Sequence, residues 1–184
     1  MFIQTEYTPN PATLKFLPGR EVLAKGTADF ANRDAAARSP LAESVFAIAG
    51  VERVFLGSDF VTVTKDDDKD WAVLKPAILG AIMEHFTHGK PVMIAEAAAA
   101  ADGDAGEDSE IVAQIKELLE TRVRPAVAQD GGDIIFQSFE NGVVSLHLQG
   151  SCSGCPSSTA TLKMGIENML KHYIPEVTEV RAVM

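Results

Sequence analysis

The apolar positions of this chain switch period several times, and the switches mark two similar series of elements. In the first, Ser39 is placed to cap a helix and Pro40 to fill its first position. The helix "LAESVFAIAG" is expected to end at Gly50. "VERVFLGSDFVTVTK" then alternates as two strands turning at Gly57-Ser58-Asp59. "WAVLKPAILGAIMEHF" returns to helical spacing, with Pro76 either restarting or kinking it, and "PVMI" reads as a short strand. Ahead of these, "FIQTEYTPNPATLKFL" and "EVLA" look extended.

In the second series Ser109 is placed to cap a helix along which Ile111, Val112, Ile115, Leu118 and Leu119 recur at helical spacing. Arg122 and Arg124 suit its C-terminal dipole, and Pro125 is expected to limit it. "DIIFQSFENGVVSLHLQ" is two β-rich runs around Asn141-Gly142, a strong hairpin signal. In the second run Val144, Leu146 and Leu148 share one face, and Ser145 and His147 the other. Residues 157–172 place Leu162, Ile166, Met169 and Leu170 on one helical stripe, Pro175 ends the segment, and "VTEVRAV" closes as a strand. Both series run α-β-β-α-β, with little residue-level repeat between them.

Between the series lies "AEAAAAADGDAGED", residues 95–108, with no large apolar side chain. Such a stretch cannot bury enough surface to offset its ordering entropy, so it reads as a linker. The expected organisation is a domain at 1–94, a flexible acidic linker at 95–108 and a domain at 109–184. The fold class is α+β: two small α/β sandwich-like domains, each with a hairpin-containing sheet and two helices. Five of the net ten negative charges fall in the linker, and neither flank is basic, which disfavours nucleic-acid binding. No stretch approaches the roughly 20 apolar residues of a membrane helix. "MFIQTEYTPNP" has neither the basic and apolar regions of a signal peptide nor the Arg-rich character of a transit peptide. A bacterial cytoplasmic protein is therefore expected, in preference to a mature mitochondrial matrix form.

The chain has two cysteines, Cys152 and Cys155, in "GSCSGCPSS". Gly, Ser and Pro around them make a loop rather than a core, and the pair falls between a strand end and a helix start. A helix N-terminus favours thiolate, the form that binds metal or attacks disulfides. A dithiol redox site usually sits early in its fold, and this pair comes late, with Ser153-Gly154 between the thiols. A structural zinc site or an iron–sulfur cluster usually needs four ligands. Histidine, an exogenous thiol or a second copy of the chain has to supply the rest. His147 lies on the polar face of its strand, and His85, His88 and His172 sit at helix ends, where they suit the dipole. A two-fold dimer supplies the missing pair without further sequence, giving a site of four cysteines between protomers.

Other polar motifs have plainer readings. In "DGGD", Asp130–Asp133, the glycines make a helix-to-strand turn and the acids cap or solvate it. "DDDKD", Asp66–Asp70, reads as a solvated loop, Trp71 as an anchor at a helix start, and "TPNP", Thr8–Pro11, as a turn.

"RPAVAQDGGDI" and "GSCSGCPSSTATLKMGIENML" closely resemble the NifU-like C-terminal domain of iron–sulfur cluster assembly proteins. "TPNPATLKF", "SPLAESVFAIAGVERVFLGSDFVTVTK" and "WAVLKPAILGAIMEHF" resemble the N-terminal domain of Nfu-type proteins. The resemblance covers almost the whole chain apart from the linker. It implies a scaffold or carrier, not an enzyme, in which Cys152 and Cys155 bind a labile [4Fe–4S] cluster bridging two protomers. It also implies a homodimer on cluster binding, upstream assembly proteins as donors and apo iron–sulfur proteins as recipients, with the N-terminal domain helping to choose clients. Within it, Gly150 and Gly154 are expected to bring backbone N–H groups to the cluster sulfurs. Pro156 is expected to fix φ beyond the second ligand, and Ser157, Ser158 or Thr159 to cap the following helix.

Overall fold

A computed structural model describes residues 2–94, 110–152 and 156–183. The chain forms two compact units, Met1–Asp102 and Gly103–Met184. Segment 95–108 and Ser109 lie outside the described residues.

In the first unit, β1 (Gln4–Tyr7), β2 (Thr13–Leu17), β3 (Ala28–Phe30), β4 (Val51–Leu56) and β5 (Val61–Lys65) form one antiparallel sheet. Its order is β1-β2-β5-β4-β3. Leu14, Phe16, Val54, Leu56, Val61 and Val63 point to the face that shares a core with helices α1 (Pro40–Phe46) and α2 (Trp71–Thr87). Ser39 caps α1 as expected, its oxygen accepting the Ala42 N–H at 3.1 Å, with Pro40 first in the helix. The helix ends at Phe46, earlier than Gly50, and a turn completes the segment. Pro76 neither restarts nor ends α2. It lies on the exposed side, as does Ala72, whose carbonyl it would clash with, so the freed oxygen faces water.

Two expectations fail in this unit. "EVLA" is irregular, fixed by the Val22 N–H on the Ser58 carbonyl at 2.7 Å. "PVMI" is not a strand either: the Ser39 hydroxyl donates to the Val92 carbonyl at 2.5 Å and the Ile94 N–H to the Arg38 carbonyl at 2.9 Å. One carbonyl and one N–H of this segment are thus bonded at the start of α1 rather than across a sheet. The edge of the sheet is taken by β3, whose Asp29 makes a bidentate pair with Arg53.

His85 lies in the last turn of α2, as expected, but its ring is buried. It is 3% exposed, and neither ring nitrogen meets a hydrogen-bond partner among the described residues. Burial, and then the Lys90 ammonium, hold its pKa below the ordinary histidine value. The neutral ring is the folded form, and the unfolded chain binds the proton more readily. Stability is therefore complete above the unfolded value of about 6.5 and is lost as pH falls below it. The urea midpoint of this unit is expected to drop between about pH 7.5 and pH 5, and His85→Phe to remove that part of the drop. Trp71, the single tryptophan, reports this unit by fluorescence. A parent midpoint that does not move with pH contradicts the assignment.

The second unit begins with α3 (Glu110–Leu118), a π-helical turn (Leu119–Val123) and α4 (Arg124–Gln129). Pro125 does not end this helix. The Arg124 N–H reaches back to the Leu119 carbonyl, and the wide turn accommodates the proline. The turn also has a packing reason. Ile115, Leu119, Val123 and Val127 are spaced by four, which in a regular α-helix drifts about 40° per step. The wider turn holds all four on the core. β6 (Gly132–Glu140) and β7 (Val143–Gly150) form the expected hairpin, with Asn141 and Gly142 at φ +51° and +80°. α5 (Pro156–Tyr173) crosses to β8 (Glu179–Val183), parallel to β7, in a sheet ordered β6-β7-β8. Val144, Leu146 and Leu148 face the core, as their alternation predicts. The units share a helix, hairpin, helix succession, but the first has three strands ahead of it and lacks the closing strand expected after α2, and the sheets differ in topology.

Candidate functional site

The cysteine loop leaves the sheet where its hairpin closes. Gly150, the last residue of β7, pairs with Gly132, the first of β6. The next two residues fold back on the turn before β6. The Ser151 N–H donates to the Gly131 carbonyl at 3.2 Å, and the Ser151 hydroxyl donates to the Asp130 carbonyl. Ser151 is 3% exposed and Cys152 7%. Gly132 is required by this approach. A β-carbon there would lie 2.6 Å from Cys152 Sγ, 2.9 Å from the Gln149 carbonyl oxygen and 3.1 Å from the Cys152 nitrogen. The "DGGD" stretch is thus the floor beneath the first cysteine.

That floor is fixed by an ion pair. Asp133, 3% exposed, accepts from Arg124 Nε and Nη2, both at 2.9 Å, and its Oδ1 also takes the Ile134 N–H at 2.8 Å. Arg124 Nη1 donates to Glu120 at 2.9 Å. The hydrogen bond to Asp133 raises the Arg124 pKa above its ordinary value. Asp133 is therefore not solvated, contrary to expectation. A lone buried carboxylate is costly, and a guanidinium fork satisfies both its oxygens. Ser151, Gly132 and this pair were missed by the sequence reading. Arg124 and Asp133 stand nine residues apart across a helix end and a turn, a separation that belongs to no regular period.

Cys152 is placed, but not as a ready thiolate. Burial pushes its pKa up to about 11, the Ser151 hydrogen bond opposes the rise, and the Asp130 and Asp133 carboxylates add to it. At this position burial opposes the thiolate preference expected from the helix start. Cys155, with Ser153 and Gly154, lies outside the described residues. α5 starts at Pro156, so Ser157, Ser158 and Thr159 lie within its first turn rather than capping it.

The histidines stay apart from the cysteine loop in sequence pattern and register. His147 is half-buried in β7 between Ile135 and Val183, and the His172 ring stacks edge-on against Tyr173 at 5.1 Å. His88 Nδ1 meets the Glu84 carbonyl at 2.8 Å at the end of α2. Among the described residues no three His, Cys, Asp or Glu side chains gather as a metal site. No described helix is long and apolar enough to cross a membrane. In the first unit, the "TPNP" turn is closed by the Thr8 hydroxyl on the Asn10 carbonyl at 2.8 Å and by the Ala12 N–H on Asn10 Oδ1 at 3.0 Å. The Trp71 indole donates to the Pro11 carbonyl at 3.2 Å, tying this turn to α2. Asp70 of "DDDKD" caps α2 through the Ala72 N–H at 2.9 Å.

Residues 3–89 match the family described as "Scaffold protein Nfu/NifU N terminal", and residues 115–181 match the "NifU-like domain". The chain is 58% identical over 181 residues to "NifU-like protein 4, mitochondrial" of Arabidopsis thaliana, covering 96% of this chain and 64% of that protein. It is 56% identical over 187 residues to the human "NFU1 iron-sulfur cluster scaffold homolog, mitochondrial", covering 100% of this chain and 72% of that protein. A solution structure of a NifU-like protein from Saccharomyces cerevisiae is 30% identical, with a TM-score of 0.47, over 52% of this chain and 86% of that one. The chain thus spans about two thirds of the length of the relatives it matches.

These comparisons correct the bacterial cytoplasmic expectation. Relatives at 55–58% identity over nearly the whole chain are named mitochondrial, which points to the mitochondrion. The composition of the first residues is no guide to compartment in a chain that spans 64% of its Arabidopsis relative. Both halves of the sequence, matched in order and carried by relatives at this identity, place the chain in the Nfu/NifU-like family of iron–sulfur cluster scaffold proteins.

Proposed function

We propose that this chain carries a labile [4Fe–4S] cluster between two copies of itself and passes it to apo-proteins. The observation that carries the reading is the ligand count: Cys152 and Cys155 are the chain's only cysteines, half of what such a cluster takes. Relatives named as iron–sulfur cluster scaffolds support the cargo. Thiolate sulfur is the donor chemistry that iron–sulfur clusters select. Loading has to expel the Cys152 proton, since burial keeps that thiol protonated near neutral pH. Release then proceeds by exchange with client thiolates, which needs no nucleophile–base pair, so the chain is read as a carrier rather than an enzyme. The same reading takes 1–94 and 109–184 as domains, 95–108 as an acidic linker, and upstream assembly proteins as the cluster's donors.

Anaerobic reconstitution with iron and sulfide tests it. About two irons and two acid-labile sulfides per chain, with a native mass of two chains, are expected for a bridging [4Fe–4S] cluster. About one of each marks [2Fe–2S] instead, and metal without labile sulfide marks zinc or mononuclear iron. A loaded single chain without an added small thiol removes the dimeric reading.

A further inference from the structure

We infer that the chain stows the Cys152 thiol inward on a latch formed by Asp130, Gly131 and Gly132, and that the latch must open before Cys152 can meet iron. The significance of the latch rests on the carrier reading; its existence rests on the packing around Gly132.

The argument is one of space. Sγ of Cys152 lies so close to Gly132 that not even a β-carbon fits between the two backbones. A cluster shared by two chains is far larger and must be reached from the surface, so the sulfur has to leave this position to bind it. The sulfur is held in by ties that include the Ser151 N–H on the Gly131 carbonyl at 3.2 Å, the Ser151 hydroxyl on the Asp130 carbonyl, and a hydrogen bond between the Ser151 and Cys152 side chains. The floor cannot follow the loop outward. Gly132 is paired with Gly150 in the sheet, and Asp133 is clamped by Arg124. Residues 151 and 152 are therefore the moving part, and the floor the fixed one. In the closed state the thiol packs with the core cluster that holds Ile134 and Leu148, shielded from reagents in solution. Ser151 is a positioning residue: it holds its neighbour in place and also hydrogen-bonds the neighbouring thiol.

The test uses the full chain carrying Cys155→Ser, so that Cys152 is its sole thiol, reduced and freed of metal by a chelator. Iodoacetamide labelling, read by intact mass and corrected with glutathione in the same buffers, is expected to run at least about tenfold slower in the native chain than in urea, because reaction waits on local opening. Ser151→Ala on this background removes the hydroxyl tie and is expected to raise the native rate several-fold with the far-UV spectrum unchanged. Should that variant unfold, hydrogen exchange of the Ser151 amide in the two-cysteine chain decides: protection before iron and sulfide are added that is lost on loading supports the latch, and no protection overturns it. Native labelling at the urea rate overturns the latch, whether or not the parent takes up a cluster. A slow thiol in a chain whose two-cysteine parent never gains labile sulfide leaves the latch standing and removes the carrier reading.

Discussion

Cys152→Ala is expected to lower cluster loading from about two acid-labile sulfides per chain to background, with the fold retained. The size of the effect follows from the sharing of ligands. Each chain supplies two thiolates at most. A pair of variant chains therefore keeps two donors where the cluster needs four, and no described His or carboxylate cluster stands in for them. The fold is expected to survive because the substitution deletes one sulfur atom from a position already packed among apolar side chains. Labile sulfide after anaerobic reconstitution, read beside the far-UV spectrum, checks both halves. A variant that loads like the parent removes Cys152 from the site.

Arg124→Leu is expected to destabilise the second unit by about 3–5 kcal/mol, since it strands the Asp133 carboxylate in the interior. Against a typical domain stability of about 5–15 kcal/mol this is a third or more. Asp133→Asn should cost less. It leaves Arg124 a partner in Glu120 and access to water, and the amide can still accept from the Ile134 N–H. The asymmetry distinguishes a buried acid from an ordinary surface pair, for which both changes would cost below about 1 kcal/mol. Urea unfolding followed by circular dichroism measures both variants. Equal and small losses would show that the carboxylate is not held dry. Cluster loading should fall with Arg124→Leu in step with unfolding, because the floor under Cys152 is anchored by this pair.

What the sequence discloses is what short-range chemistry decides. Ser39-Pro40 announces a capped helix because one hydroxyl and one fixed φ act within three residues. Asn141-Gly142 announces its hairpin because the tight turn demands positive φ at both positions. Val144, Leu146 and Leu148 disclose their face because a strand alternates by two. The Gly, Ser and Pro around the cysteine pair disclose a loop between strand and helix, and the ligand role remains the reading proposed above. The features it hides depend on groups distant in the chain. "PVMI" has the residues of a strand, yet the Val92 carbonyl and the Ile94 N–H are taken by Ser39 and Arg38, over fifty residues away. β3 is three residues long and exists only because β4 offers it an edge. Pro125 signals a stop, and the π-helical turn before it cancels the signal to keep Val123 and Val127 on the core. The burial of Asp133, Ser151 and His85 cannot be read from their polarity, which argues for the opposite. The mitochondrial compartment is indicated by the relatives and not by the composition of the opening residues.

The anchorage of Val92 and Ile94 bears on where the first unit may be cut. A chain shortened to Gly89 would keep every strand and helix of that unit, α2 having ended at Thr87. It would nonetheless forfeit the acceptor for the Ser39 hydroxyl and the donor to Arg38, leaving the entrance of α1 with one tether fewer on each side. A cut placed after Ile94 instead of Gly89 keeps both ties at the entrance of α1.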